Sequence, residues 1–177
     1  MQDSLTKDTL TYQKETYLGF GGQVQERPTT YVETLDKKID NYMASLEDLE
    51  ARCSLPDVNQ EELLDEITML NDSMLEACAR FERDVKDPLS IKQTQVYFRE
   101  KTHPILSKSY FINRARTWPQ GHQGDFMTLE LAYKNRPMST EIGAYLDKYV
   151  LASTIAVGVR DRIEKMRDLL QKELTSR

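Results

Sequence analysis

Apolar residues spaced alternately three and four apart constrain this chain more than any other feature. Val32, Leu35, Ile39, Tyr42, Leu46, Leu49 and Cys53 follow that spacing, which sets them on one stripe of an α-helix about six turns long and on no single face of a strand. Thr30, with Glu33 three residues later, forms a capping box at the start of the stripe. Ser54-Leu55-Pro56-Asp57 cannot continue the helix, and Asn59 with Glu62 offers a second capping box. Leu63, Ile67, Leu70, Met74, Cys78 and Phe81 then resume the same period. Two long helices joined by so short a loop are expected to pack as an antiparallel hairpin over residues 30–86.

The rest of the chain also reads as helix. Asp87-Pro88 caps a third helix through Val96-Tyr97-Phe98, and Pro104 is expected to interrupt it after His103, with a helix resuming after a kink over 105–115. Between Thr117 and Asp125, Trp118-Pro119, Gly121 and Gly124 define a rigid loop. A short helix over 126–133, a break at Asn135-Arg136-Pro137 and helical sequence from about Thr140 onward complete the pattern. No stretch alternates as a strand would. The expected class is therefore all-α: a long antiparallel helical hairpin plus a helical cap carrying the Trp-Pro/Gly loop. The expected organisation is a flexible arm over 1–29, which holds Gly19, Gly21 and Gly22, followed by a helical domain over 30–177. That domain divides into the 30–86 hairpin, a cap and loop over 87–135, and C-terminal helices over 138–177.

Charge and residue usage narrow the function. In 177 residues, 24 Lys and Arg oppose 29 Asp and Glu, a net charge of −5, so nucleic acid is not an expected partner. No run approaches the roughly 20 apolar residues of a membrane helix, and residues 1–10 lack a basic start and an apolar signal core, so the expected location is cytoplasmic. Cys53 and Cys78 fall in phase with the apolar stripes and read as small buried hydrophobes. With two histidines in the chain, His103 and His122, a nucleophile–base–orienter triad has little to work with. Glu100 and His103 form one Glu-x-x-His unit where a di-iron bundle needs two, and the carboxylate-dense faces at Glu47, Asp48, Glu50 and Glu61, Glu62, Asp65, Glu66 read as solvated, so no metal is expected.

The chemistry is concentrated at the rigid loop. Arg114, Arg116, Trp118, Gly121, Gly124 and Asp125 bring together two guanidinium groups, an indole, two glycines and a carboxylate. Arginine grips carboxylate or phosphate bidentately, an indole face stacks, and glycine allows close backbone approach. The plainer reading of the same residues is a helix C-terminus with cations on its dipole, then a turn, then Asp125 capping the next helix.

His103-Pro104-Ile105-Leu106, the run from Phe111 through Arg114-Ala115-Arg116-Thr117-Trp118-Pro119-Gln120-Gly121-His122-Gln123-Gly124-Asp125-Phe126, and Leu129-Glu130-Leu131-Ala132-Tyr133 resemble the helical region ahead of the catalytic domain in a family of bacterial S-adenosylmethionine-dependent methyltransferases. Val157-Gly158-Val159-Arg160-Asp161-Arg162-Ile163 resembles the helix leading into that family's first Rossmann strand. The resemblance spans about residues 103 to 170. It implies a substrate-capping domain, S-adenosylmethionine as the cofactor of a catalytic domain that these residues do not include, that catalytic domain as partner, and a small-molecule acceptor, with a carboxylate-bearing one suggested. The residues it brings forward as contacts are Arg114, Arg116, Trp118, Gly121, Gly124, Asp125 and Tyr133. Two alternatives stand beside it: a non-enzymatic interaction module that dimerises through the 30–85 hairpin, and a regulatory domain sensing a small acidic ligand.

Overall fold

The computed structural model describes residues 29–119, 121 and 126–176, with side chains described from Thr34 onward. The expected arm over 1–29 therefore lies outside the described residues except for Thr29. Among the described residues there are helices and no strands: α1 (Thr29–Cys53), α2 (Gln60–Val85), α3 (Pro88–Leu106), α4 (Tyr110–Thr117), α5 (Phe126–Lys134), α6 (Glu141–Ala152) and α7 (Thr154–Thr175). The chain is all-α. No single described helix is long and apolar enough to cross a membrane.

The α1 stripe is buried from Leu35 to Leu49, with Leu35, Ile39, Tyr42, Leu46 and Leu49 all facing the core and Cys53 partly buried beside it. Its partners on α2 are Leu63, Ile67, Met74, Ala77 and Phe81. Arg52, near the end of α1, pairs with Glu66 near the start of α2, while Tyr42, mid-way along α1, donates to Asn71 Oδ1 further along α2 at 2.8 Å. That order of contacts makes the two helices antiparallel. Ile105 and Leu106 of α3 and Ile142, Tyr145 and Leu146 of α6 close the same core. Phe111, Leu131 and Leu151 form a smaller cluster joining α4, α5 and α6.

Side-chain caps start several helices. Asn59 Oδ1 accepts from the backbone N–H groups of Glu61 and Glu62, and Asp87 Oδ2 from that of Ser90, behind Pro88. One boundary differs from expectation. The helix does not stop at Pro104: α3 runs through it to Leu106, and the break comes at Ser107–Ser109. A proline removes the bond that its N–H would give to the carbonyl four residues back, here that of exposed Glu100, where solvent can replace it, and the helix has only two residues left to run. The helical sequence from Thr140 onward forms two helices, bent by 58° at Ser153. Ser153 is extended (ψ 151°), and its hydroxyl accepts from the Ala156 N–H, which starts α7 afresh.

Gly143 and Asp147 fix how α6 sits. Gly143 faces the Lys108 carbonyl so closely that a Cβ would overlap it. Fully buried Asp147 accepts from Ser109 Oγ at 2.6 Å, from the Phe111 N–H at 3.5 Å, and from the N–H groups of Met138 and Ser139 at 2.9 Å each. One carboxylate thus ties the α3–α4 turn and the α5–α6 connection to α6. From α7, Arg160 donates to the Ala132 and Leu151 carbonyls at the ends of α5 and α6.

Candidate functional site

Arg114 and Arg116 stand two positions apart on α4, and two positions on an α-helix rotate a side chain by about 200°. The structure accordingly sends them opposite ways. Arg114 lies over the Tyr110 ring at 5.5 Å and donates to Tyr110 Oη and to Thr128 Oγ1 on α5. Arg116 turns to α3, where it donates to Thr102 Oγ1 at 2.7 Å and to the Arg99 carbonyl at 3.4 Å. The two groups do not converge on one ligand.

What Arg116 meets instead is Arg99, 17 residues away in sequence, whose guanidinium donates back to the Arg116 carbonyl. Arg99 and Thr102 are three apart on α3 and so share a face. Thr102 is fully buried and donates to the Phe98 carbonyl, which leaves its oxygen aimed to accept from Arg116. Below lies Tyr42, whose ring packs 6.2 Å from that of Phe98. Tyr42 is fixed by its bond to Asn71, which itself donates to the Ile67 carbonyl. Burial, and secondarily the neighbouring Arg99 charge, lower the proton affinity of Arg116, while burial pushes the Tyr42 hydroxyl up despite the pull of Arg116.

Trp118 ends α4 in the left-handed region (φ 45°), with its indole partly exposed and its Nε1–H given to the Ala115 carbonyl at 2.7 Å. The Gly121 N–H returns to the Trp118 carbonyl at 2.7 Å, and the glycine's φ of +81° is one that L side chains rarely adopt. Gly124 and Asp125 lie outside the described residues. Tyr133 is exposed on α5.

A second feature escapes a linear reading. A cavity of about 90 Å³ opens between α1, α2 and α3, lined by Leu35, Cys78, Phe81, Ile91, Thr94 and Phe98. Thr94 Oγ1 is buried beside it, with no hydrogen-bond partner among the described residues. Burial raises the pKa of the Cys78 and Cys53 thiols, and both cysteines are free and half-buried. Among the described residues, no group of His, Cys, Asp or Glu could hold a metal ion.

No family model, no curated protein and no solved structure matches this chain.

Proposed function

We propose that this chain is the helical substrate-capping region of an S-adenosylmethionine-dependent methyltransferase, working against a catalytic domain that docks on α7. The observation that carries the reading is the surface of α7 itself. Ile155, Met166, Leu169, Leu170 and Leu174 are each at least 56% exposed, on a helix of 22 residues that buries Ala156 near its start. Contiguous apolar surface of this kind marks a face that another body covers. The family resemblance over residues 103–170 supplies the identity of that body.

The described residues contain no strand followed by a glycine-rich loop, the cradle a Rossmann domain uses for its cofactor, and in this reading the catalytic domain supplies that cradle. Their part would be to close over the acceptor and exclude water while the catalytic domain holds the cofactor.

Calorimetric titration of S-adenosylmethionine into residues 1–177 and into the full natural gene product tests this. Binding by the longer protein alone is expected. Binding by neither overturns the enzyme reading.

The second reading, a helical interaction module, draws on the hairpin. A shallow groove between α1 and α2, lined by Ala44, Ser45, Leu49, Leu70 and 73% exposed Met69, offers a surface for a further helix. Reversible dimerisation of the chain, lost in Met69→Glu, would favour it.

A further inference from the structure

Arg99 and Arg116 form a cationic pair for which the described residues supply no counter-charge. Arg52, Arg80, Arg83 and Arg167 each reach a carboxylate. Among the described residues, Arg99 and Arg116 donate only to two backbone carbonyls and one hydroxyl. A guanidinium carries five N–H donors in a planar fork, so these bonds leave most of the donors on both groups for something else.

The arrangement is also held in place. The reciprocal bonds between each guanidinium and the other residue's carbonyl lock α3 to α4, and Thr102 fixes Arg116 from beneath. Two like charges held together in a half-buried site repel, and a single anion bridging them relieves that repulsion. The pair sits at the C-terminal end of α4, where carbonyl groups concentrate negative potential, so a singly charged anion suits it better than a dianion.

We propose that Arg99 and Arg116 together bind the carboxylate of a small molecule. This rests on the capping reading only for the source of the carboxylate, which there would be the methyl acceptor. The site itself stands without it.

The test uses the 1–177 chain with nitrogen-15 in its arginine side chains, titrated with sodium hexanoate. Methyl hexanoate and inorganic phosphate serve as uncharged and dianionic comparisons. The Nε–Hε resonances of Arg99 and Arg116 are expected to shift and saturate with hexanoate and not with the ester. Arg99→Gln should weaken binding about tenfold or more, Arg99→Lys less, because it keeps the charge and loses the fork, and Arg83→Gln not at all. Arg116→Gln removes a half-buried contact and risks unfolding, so the Arg99 variants carry the result, with helical circular dichroism confirming their fold. Absent shifts, equal shifts with the ester, tighter binding of phosphate than of hexanoate, or unchanged affinity in Arg99→Gln would each overturn the proposal. Cofactor binding by the longer gene product is a separate measurement, so either reading can fail alone.

Discussion

Ser109 Oγ donates to Asp147 Oδ1 at 2.6 Å with both residues fully buried, and this bond anchors the network on which α4 depends for its place. The same carboxylate also accepts from the backbone N–H groups of Phe111, Met138 and Ser139. Asp147→Ala leaves the buried Ser109 hydroxyl and these amides without their acceptor. It should cost about 3–5 kcal/mol, and Asp147→Asn, which replaces one acceptor oxygen by a donor, about 2 kcal/mol. Urea unfolding of the two variants measures both. A loss under about 1 kcal/mol for the alanine variant would show that the network does not hold α4 in place.

Two glycines in the last two helices should respond with opposite signs. At Gly143 an added Cβ would overlap the Lys108 carbonyl and stand 2.9 Å from Ser139 Cβ, and neither the α3–α4 turn nor the Asp147 ties give it room. Gly143→Ala is expected to destabilise by about 1–3 kcal/mol. At Gly158, inside α7, nothing lies within 4 Å of the added atom. Gly158→Ala should stabilise by about 0.5–1 kcal/mol through the gain in helix propensity. Thermal midpoints of the pair separate packing from propensity, and a shift of the same sign in both would contradict the close approach at Lys108.

Thr94 carries a cost that a single change removes. Its hydroxyl is buried and unpartnered beside the α1–α2–α3 cavity. Thr94→Val keeps the shape and discards the polar group, so it should raise stability by about 1 kcal/mol. A lowered unfolding midpoint would mean that solvent in the cavity satisfies the hydroxyl.

The α1 stripe and the caps at Asn59 and Asp87 were legible in the sequence because helix period and capping are local. On α2 the period placed Leu70 and Cys78 in the stripe, whereas Asn71 and Ala77 are the buried residues and Leu70 and Cys78 flank the core. A buried Asn is admitted there because Tyr42 and the Ile67 carbonyl satisfy it, and that pairing is tertiary. The bend at Ser153 was marked only by Ser-Thr, which weakens a helix without forbidding it. Asp147 left a usable signal: Gly143, Asp147 and Leu151 recur every four residues on the buried face of α6. At the candidate site, nearness in sequence grouped Arg114 with Arg116, but the turn of one helix separates them. Arg99, the residue that does meet Arg116, belongs to another helix and could be found only once α3 and α4 were packed together.

Alkaline pH should loosen the contact between α6 and α2. Tyr149 Oη donates to Asp72 Oδ1 at 2.8 Å. Burial first, then this hydrogen bond and the Asp72 charge, push the hydroxyl from its ordinary 10.0 up to about 12. The neutral form is the one favoured by folding. Its contribution is therefore fully present below the unfolded value and is lost as pH rises through the folded one. The stability gap between wild type and Tyr149→Phe should hold constant below about pH 9 and shrink between about pH 10 and 12. Denaturant midpoints of the two proteins across that range check it, and a gap that widened with pH would reverse the sign.

If the catalytic domain proposed above docks on α7, that helix separates what this chain needs for itself from what the docked domain needs of it. Met166 and Leu170 are exposed at 56% and 61%, so they contribute little to the core formed by α1, α2, α3 and α6. The double variant Met166→Glu and Leu170→Glu should change the stability of residues 1–177 by less than about 0.5 kcal/mol. In the full natural gene product the same pair would place two charges in a buried apolar interface. There a loss of about 2 kcal/mol or more is expected, together with weaker S-adenosylmethionine binding. Arg160→Gln supplies the contrast, because that side chain serves the Ala132 and Leu151 carbonyls within these helices and its loss should be felt in both proteins. Equal indifference of both proteins to the glutamate pair would mean that the stripe stays solvated in the intact protein, and α7 would then have to be read as a spacer.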